Sequence, residues 1–570
     1  MRIEVAIDKR CARLLVEDDS VVLHLYPAAN VAYLTYSEAQ YSIVYSQRII
    51  LYVFRLLNAN RSNKKMLVLP VFVTLLCLVY ISCSSLLSKA CFQYLVQCRR
   101  LSSAIRERFL AYRYLFNGTS IIEDKYRKSA HEPFKIMTPE GKITMITSQR
   151  HIRELDKAPR HVLSLHAVAK KPKYTMHGFE WKDQRGIEGT GFVRALRSLL
   201  TTRLPQLIPS LKGGVQDQVA TEISNEKVLK NGWRRVPLFA ASKRMITRLN
   251  CLVFFPRELS EDPSFVKAAL EFPEDVYLAA ETIRILPRNI APFIAKLLTH
   301  NHRSTSVMYE YLSPLVKQRM ENAATGSGDY NGIQADDCVQ WLIDTIPKSE
   351  VWSVDRLVGE IMAIWYGSLH TLAIATTYAL VDLYSHPEYL ASLKAEVDGP
   401  LFARFETTAT GLPELDSFLK ESARLSAFES TGIRRHALEE FKFSDGLRIP
   451  KGTEVSVPYR TMMRDDEYFY NALTFDGRRF LKNVTGPESV EKDSSMLSEP
   501  SDSWLVWGAG RISCPGRFYA VVVLKLVLSQ ILTGYECELE EIKGSRSVQW
   551  RTALIPKASI TLRMRPRAKD

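Results

Sequence analysis

The stretch from Trp504 to Ile531 constrains this chain most, because a glycine-rich turn, Trp507-Gly508-Ala509-Gly510-Arg511-Ile512-Ser513, delivers Cys514 to the start of an apolar helix. Pro515 suits the first helical position because it has no N–H to leave unpaired, and Phe518, Tyr519, Val522, Val523, Val527 and Ile531 continue an apolar face behind it. A cysteine so placed meets the free N–H groups and the positive end of a helix dipole. Both favour thiolate over thiol, and thiolate is the form that binds a metal. Gly508, Gly510 and Gly516 let the backbone approach a flat ligand closely. The competing reading is a buried, inert cysteine, the usual fate of a lone one.

Nine cysteines lie at irregular spacings without Cys-x-x-Cys pairs, which argues against a zinc ribbon and a disulfide framework and points to a reducing compartment. The net charge of +14 raises the question of nucleic acid, but Lys and Arg are scattered and no DNA- or RNA-binding motif is present. A basic surface facing a membrane or a redox partner accounts for it better. Residues 1–65 carry no motif, and their role is unassigned. Met66 to Ser88 follows, 23 residues without a charge, long enough to cross a bilayer as an anchor; a buried core helix is the alternative. Basic residues flank it equally on both sides, so charge does not set its orientation.

Further on, Phe134-Lys135-Ile136-Met137 and Ile143-Thr144-Met145-Ile146 around Pro139-Glu140-Gly141 read as a hairpin, followed by a helix through His151 and Leu155. Helical spacing starts at Gly191 and continues to about Asn322. Ser353 to Ser385 is a further apolar helical run, about 50 Å long at 1.5 Å per residue, with Gly367-Ser368-Leu369-His370-Thr371 at its centre. Its charges Asp355, Arg356, Glu360 and Asp382 argue against a second membrane span. Taken alone, His370 reads as a core histidine and Thr371 as a helix residue bonding back to a carbonyl. Glu421 and Arg424 share one helix face. Turns at Asp445-Gly446 and Pro450-Lys451-Gly452 punctuate short strands, 484–503 is a polar loop, and Ile555-Pro556-Lys557 marks a terminal hairpin.

Trp-Gly-x-Gly-x-x-x-Cys-Pro-Gly-Arg-Phe-Tyr-Ala resembles the haem-ligand loop of the cytochrome P450 family, whose pattern is Phe-x-x-Gly-x-Arg-x-Cys-x-Gly, and its fungal members in particular. Trp507 stands where Phe is usual, and Ile512 where Arg or His binds a haem propionate. Across roughly residues 100–570 the other segments resemble family elements in the family's order. Gly367 to Thr371 matches the oxygen-binding groove, Glu421-Ser422-Ala423-Arg424 the Glu-x-x-Arg helix, and Phe475 to Phe480 the loop whose arginine, here Arg479, completes a buried triad. Arg435 matches a propionate-binding arginine. Trp233 to Phe239 and Leu286-Pro287-Arg288 resemble landmarks of fungal members.

The resemblance implies a mainly α fold with small β-sheets, a haem-thiolate domain over 89–570 behind a transmembrane anchor at 66–88, and haem b with its iron on Cys514. It implies a monooxygenase that hydroxylates an apolar small molecule with O2, with Thr371 passing protons and His370 left with an open role. Electrons would come from NADPH through a diflavin reductase docking near Arg424, Arg511 or Arg517. The setting would be the endoplasmic reticulum membrane, single-pass and facing the cytosol, in fungal terpenoid, polyketide or polyketide–amino-acid hybrid pathways. Expansion of a tetramate ring to a 2-pyridone is the alternative reaction. A haem-binding partner protein without oxygenase activity is the alternative class, motivated by Ile512.

Overall fold

The computed structural model describes residues 12–17, 20–25, 33–35, 99–169, 191–287, 289–325, 335–481 and 496–568. The anchor expected at Met66 to Ser88, Arg288 of the Leu286-Pro287-Arg288 landmark, and most of the 484–503 loop lie outside the described residues. The chain divides into compact units Met1–Ile105 and Arg106–Asp570. In the first, strands β1 (Ala12–Glu17), β2 (Ser20–Leu25) and β3 (Tyr33–Thr35) form an antiparallel sheet in that order. No sequence motif marks this stretch, but its Val and Leu content suits strands.

Helix α1 (Arg99–Ser129) leads into the second unit and bends at Asn117, where φ −130° and ψ 22° leave the helical region. The expected hairpin follows as β4 (Phe134–Thr138) and β5 (Gly141–Met145). Ser148 then caps α2 (Gln149–Lys157), its hydroxyl accepting the His151 N–H at 3.2 Å. A two-residue strand, β6 (Leu163–Ser164), comes next. After a π-turn over Ala195–Leu200 come α3 (Thr201–Ser224), β7 (Arg234–Pro237), α4 (Leu238–Phe254), α5 (Pro263–Ile285) and α6 (Arg303–Thr325). The strand β7 interrupts what periodicity alone reads as continuous helix.

The axis of the unit is α7 (Val354–Ser385), about 48 Å at 1.5 Å per residue. Ser353 caps it, accepting the Arg356 N–H at 3.2 Å. It packs along α4, α5 and α6, and also along α8 (Pro413–Leu425) and α9 (Arg517–Gly534). Trp365 is fully buried and donates its indole N–H to the Ala269 carbonyl at 2.7 Å, fixing α7 on α5. By length and composition α7 and α9 are both apolar enough to cross a membrane, but most of each apolar stretch is buried in the protein, so they are core helices.

Between α8 and α9 lie β8 (Gly432–Ala437), the hairpin β9 (Phe441–Lys442) and β10 (Arg448–Ile449), and β11 (Glu454–Val457). A five-stranded sheet runs β4-β5-β11-β8-β6, with β11 parallel to β5 and the other neighbours antiparallel. After α9 come β12 (Tyr535–Leu539), β13 (Ser547–Trp550), β14 (Ala553–Pro556) and β15 (Thr561–Pro566). β12, β15 and β7 make a second sheet, and β13 with β14 a hairpin. That hairpin turns at Arg551 and Thr552, whereas Pro556, the residue expected to mark it, ends its second strand.

Candidate active site

The cysteine loop is held from three sides. Cys514 donates its N–H to the Trp507 carbonyl at 2.8 Å, and the Trp507 indole N–H reaches the Leu497 carbonyl at 2.6 Å. Gly508 and Gly510 take φ of +82° and +50°, the left-handed region that favours glycine. At Gly510 the reason is also steric: a Cβ there would lie 2.0 Å from Oδ2 of Asp156 on α2. That carboxylate accepts the Arg511 N–H at 3.1 Å, and the Arg511 guanidinium returns to the Asp156 carbonyl at 3.0 Å. From the π-turn, Arg197 donates to the carbonyls of Arg511 at 2.8 Å and Ser513 at 3.0 Å. Sequence reasoning missed Asp156 and Arg197; neither stands in a local pattern.

Helix α9 starts two residues later than expected. Its first carbonyl is that of Gly516, which accepts the Ala520 N–H at 3.0 Å, so Pro515 sits in the turn before the helix. Burial pushes the Cys514 thiol up from its ordinary value; the N–H groups of Gly516 and Arg517 and the guanidinium groups of Arg517 and Arg197 pull the other way. A Cβ at Gly516 would meet nothing within 4 Å, so the turn presents open backbone beside the sulfur.

In α7, Gly367 is exposed in a helix that is otherwise largely buried, and a Cβ there would also meet nothing within 4 Å. Thr371, one turn on, is half-buried and donates its hydroxyl to the Gly367 carbonyl at 3.0 Å. His370 sits beside Glu274 and Lys243, and among the described residues its buried Nε2 has no hydrogen-bond partner. Burial holds its pKa down at about 4, in keeping with the reading of His370 as a core histidine. Ser368 accepts from Asn250 at 3.1 Å, and Asn250 accepts from the Tyr519 hydroxyl at 2.9 Å, which ties the open stretch of α7 to the helix behind the cysteine.

Glu421 and Arg424 on α8 are fully buried and bidentate, at 2.7 and 2.8 Å. Arg479 joins them with its Nε 3.1 Å from Glu421 Oε2, and Arg424 also donates to the carbonyls of Met463 and Ala472. With its side chain sealed, Arg424 cannot belong to a docking surface, which corrects that expectation; Arg511 is exposed and Arg517 half-buried. Arg435 on β8 is buried, donates Nη1 to the Arg434 carbonyl at 2.9 Å, and among the described residues leaves Nη2 without a partner.

Residues 214–563 match the family model for cytochrome P450, more than half of the chain. The chain belongs to the cytochrome P450 family. Relatives include cytochrome P450 monooxygenase AN1598 of Emericella nidulans, 26% identical over 455 residues that cover 78% of this chain and 83% of the relative. Another is cytochrome P450 monooxygenase olcJ of Penicillium canescens, 27% identical over 409 residues, 71% of this chain and 75% of the relative. Among solved structures, the cytochrome P450DA heme domain aligns with a TM-score of 0.62 at 16% identity, over 80% of this chain and 95% of that one.

This P450 is therefore an oxidoreductase of the monooxygenase kind. Its cofactor is haem on a cysteine thiolate, and its partners are O2, an organic substrate and a reductase that supplies electrons. The residues present fit that cofactor. A buried guanidinium with an unpaired nitrogen is costly, and Arg435 is pushed down to about 10, first by burial. The carboxylate of a haem propionate is the anion that such a group lacks.

Proposed function

We propose that Cys514 is the thiolate ligand of the haem and that the chain is a membrane-anchored monooxygenase hydroxylating a small, largely apolar molecule in fungal secondary metabolism. The observation that carries the reading is the setting of Cys514: a thiol at a glycine turn, with two backbone N–H groups and two guanidinium groups favouring its thiolate. Other described cysteines contrast with it. Burial raises all of these thiols, Cys514 included, but no backbone N–H opposes it at the others: Cys251 has only the Arg248 charge, Cys338 nothing, and Cys537 the Tyr384 hydroxyl and the Arg567 charge, with Cys251 and Cys537 at about 12.

Haem on a thiolate supplies activation of dioxygen, so that one oxygen atom enters a substrate C–H bond and the other leaves as water. The protein has three tasks around it. Trp507, Gly508, Gly510 and Gly516 shape the loop that seats the sulfur, and Arg435 pairs a propionate, all the more needed with Ile512 in place of a cation. Gly367 keeps the face of α7 open to dioxygen, and Thr371 can release its hydroxyl from the Gly367 carbonyl to relay a proton. The triad of Glu421, Arg424 and Arg479 holds the helix and loop beneath. Electrons reach this site from an NADPH-dependent diflavin reductase, for which Arg511 offers an exposed charge. We assign 66–88 as a single-pass anchor in the endoplasmic reticulum membrane, 89–570 as the catalytic domain on the cytosolic side, and no role to 1–65.

The reduced, CO-bound protein should show the red-shifted Soret band of thiolate haem, and Cys514→Ala should abolish it. A mutant spectrum identical to the parent would remove Cys514 from the role.

A further inference from the structure

Tyr366 immediately precedes the exposed Gly367, and the wall it joins is ionic. From α5, Glu281 shares its two oxygens: Oε1 accepts from Arg284 at 2.6 Å, and Oε2 from Arg551 at 2.7 Å. Arg551, in the β13–β14 turn, pairs on its other side with Glu140 at 2.8 Å. Both carboxylates are thus committed. Arg434, on β8, completes the wall; Arg284 lies within electrostatic reach of both Arg551 and Arg434, and of the Tyr366 phenol. Burial and those two like charges together hold Arg284 down at about 10. Burial raises the Glu281 carboxyl, while the Arg551 guanidinium and the Trp550 N–H oppose that shift.

Arg434 is the unfinished member. Its side-chain hydrogen bonds among the described residues all leave from Nη2: to Glu429 at 3.4 Å, Thr431 at 2.9 Å and Thr552 at 3.2 Å. The side chain keeps 35% exposure, its ion pair with Glu429 is long at 3.4 Å, and among the described residues Nη1 and Nε make no hydrogen bond. Neighbouring residues on a strand face opposite sides, so Arg434 and Arg435 serve two different spaces. Arg435 pairs a haem propionate on the reading above, which leaves Arg434 for a different partner. A pure hydrocarbon docked against Arg434 would strip water from its open edge and replace it with nothing.

We infer that the substrate is an organic acid, its anionic oxygens paired with the open edge of Arg434 beside Arg284 and its apolar body running past Tyr366 and Gly367 towards the haem. This deepens the proposed monooxygenase and rests on it. Arg434 and Arg284 then set which molecules enter and which carbon meets the oxidant, because a charge-assisted pair at one end fixes the reach of the other.

The test uses the full-length haem-loaded protein with two probes of equal chain length, dodecanoate and its methyl ester, at neutral pH. Binding is followed by the spin-state shift of the haem band and independently by calorimetry. Dodecanoate should bind roughly tenfold more tightly than the ester, as a charge-assisted pair warrants. Arg434→Gln should bring the two affinities within about twofold by weakening the acid alone, and Arg434→Lys should restore part of the difference. The acid–ester comparison in the unaltered protein needs no substitution, so a poorly folding variant does not remove the test. Equal affinities there, failure of dodecanoate to bind, or a preference that survives both Arg434→Gln and Arg284→Gln would overturn the inference. A sample without a thiolate haem spectrum would instead overturn the monooxygenase reading, and this inference with it.

Discussion

Thr371 rests with its hydroxyl donated to the Gly367 carbonyl, so relaying a proton requires it to let go of one helix hydrogen bond and turn to the open side. Thr371→Ala should keep haem and substrate binding but lower the product formed per NADPH by about tenfold, with the electrons appearing in hydrogen peroxide. An unchanged ratio would return Thr371 to helix packing. His370 is a separate case, since it stays neutral at pH 7 with a pKa near 4 against an ordinary 6.5. A depressed histidine binds fewer protons folded than unfolded, so its contribution is present above pH 6.5 and is lost as pH falls from there towards 4. Between pH 7 and 5 the parent should lose about 2 kcal/mol relative to His370→Gln, measured by denaturant unfolding. The turn and helix around Cys514 were legible because the glycines and the following apolar run are contiguous in the chain. Asp156 and Arg197 were not, because their contacts with the cysteine loop span 355 and 314 residues and leave no local trace. The ionic wall of Glu281, Arg284, Arg434 and Arg551 was equally hidden, for its members come from three separate elements.

Elements were read most reliably where one period runs unbroken. α7 came out within a residue of its expected bounds because its apolar run has a serine cap and no proline. The start of α9 was missed by two residues: proline tolerates both a turn and a first helical position, and the loop's own hydrogen bonds decide between them. α8 carries the clearest energetic test. Glu421 accepts from Arg424, from Arg479 and from the Asp476 N–H at 3.0 Å, so Glu421→Ala would leave the fully buried Arg424 guanidinium without its counter-charge and free one edge of Arg479. We expect a loss of roughly 3–5 kcal/mol in unfolding stability, with loss of haem on expression. At the cysteine loop, Gly510→Ala should impair haem retention through the clash with Asp156, and a second change, Asp156→Ala, should restore only part of it, because the φ of +50° still disfavours a side chain. Full restoration would show that the contact alone matters.

At the scale of the molecule, the division of the chain into an anchor and a catalytic domain has a direct test. Removing residues 1–88 should release the protein from carbonate-washed membranes with its haem spectrum intact, whereas a freely soluble full-length chain would refute the anchor. The fold class was legible through family likeness, but the sheet that closes it was not, since no local pattern says that β5 pairs with a strand synthesised some three hundred residues later. That pairing, Ile143 beside Glu454 and Thr144 beside Val455, has a consequence for how the protein comes into being. While the ribosome is still making the helices, the early hairpin waits with one edge unclosed, as a strand edge on which another nascent chain can add. The ion pair of Glu140 with Arg551 forms later still, near the end of synthesis. Closure must wait until β11 has been made, so yield in a foreign host should depend on how long chaperones can shield that edge.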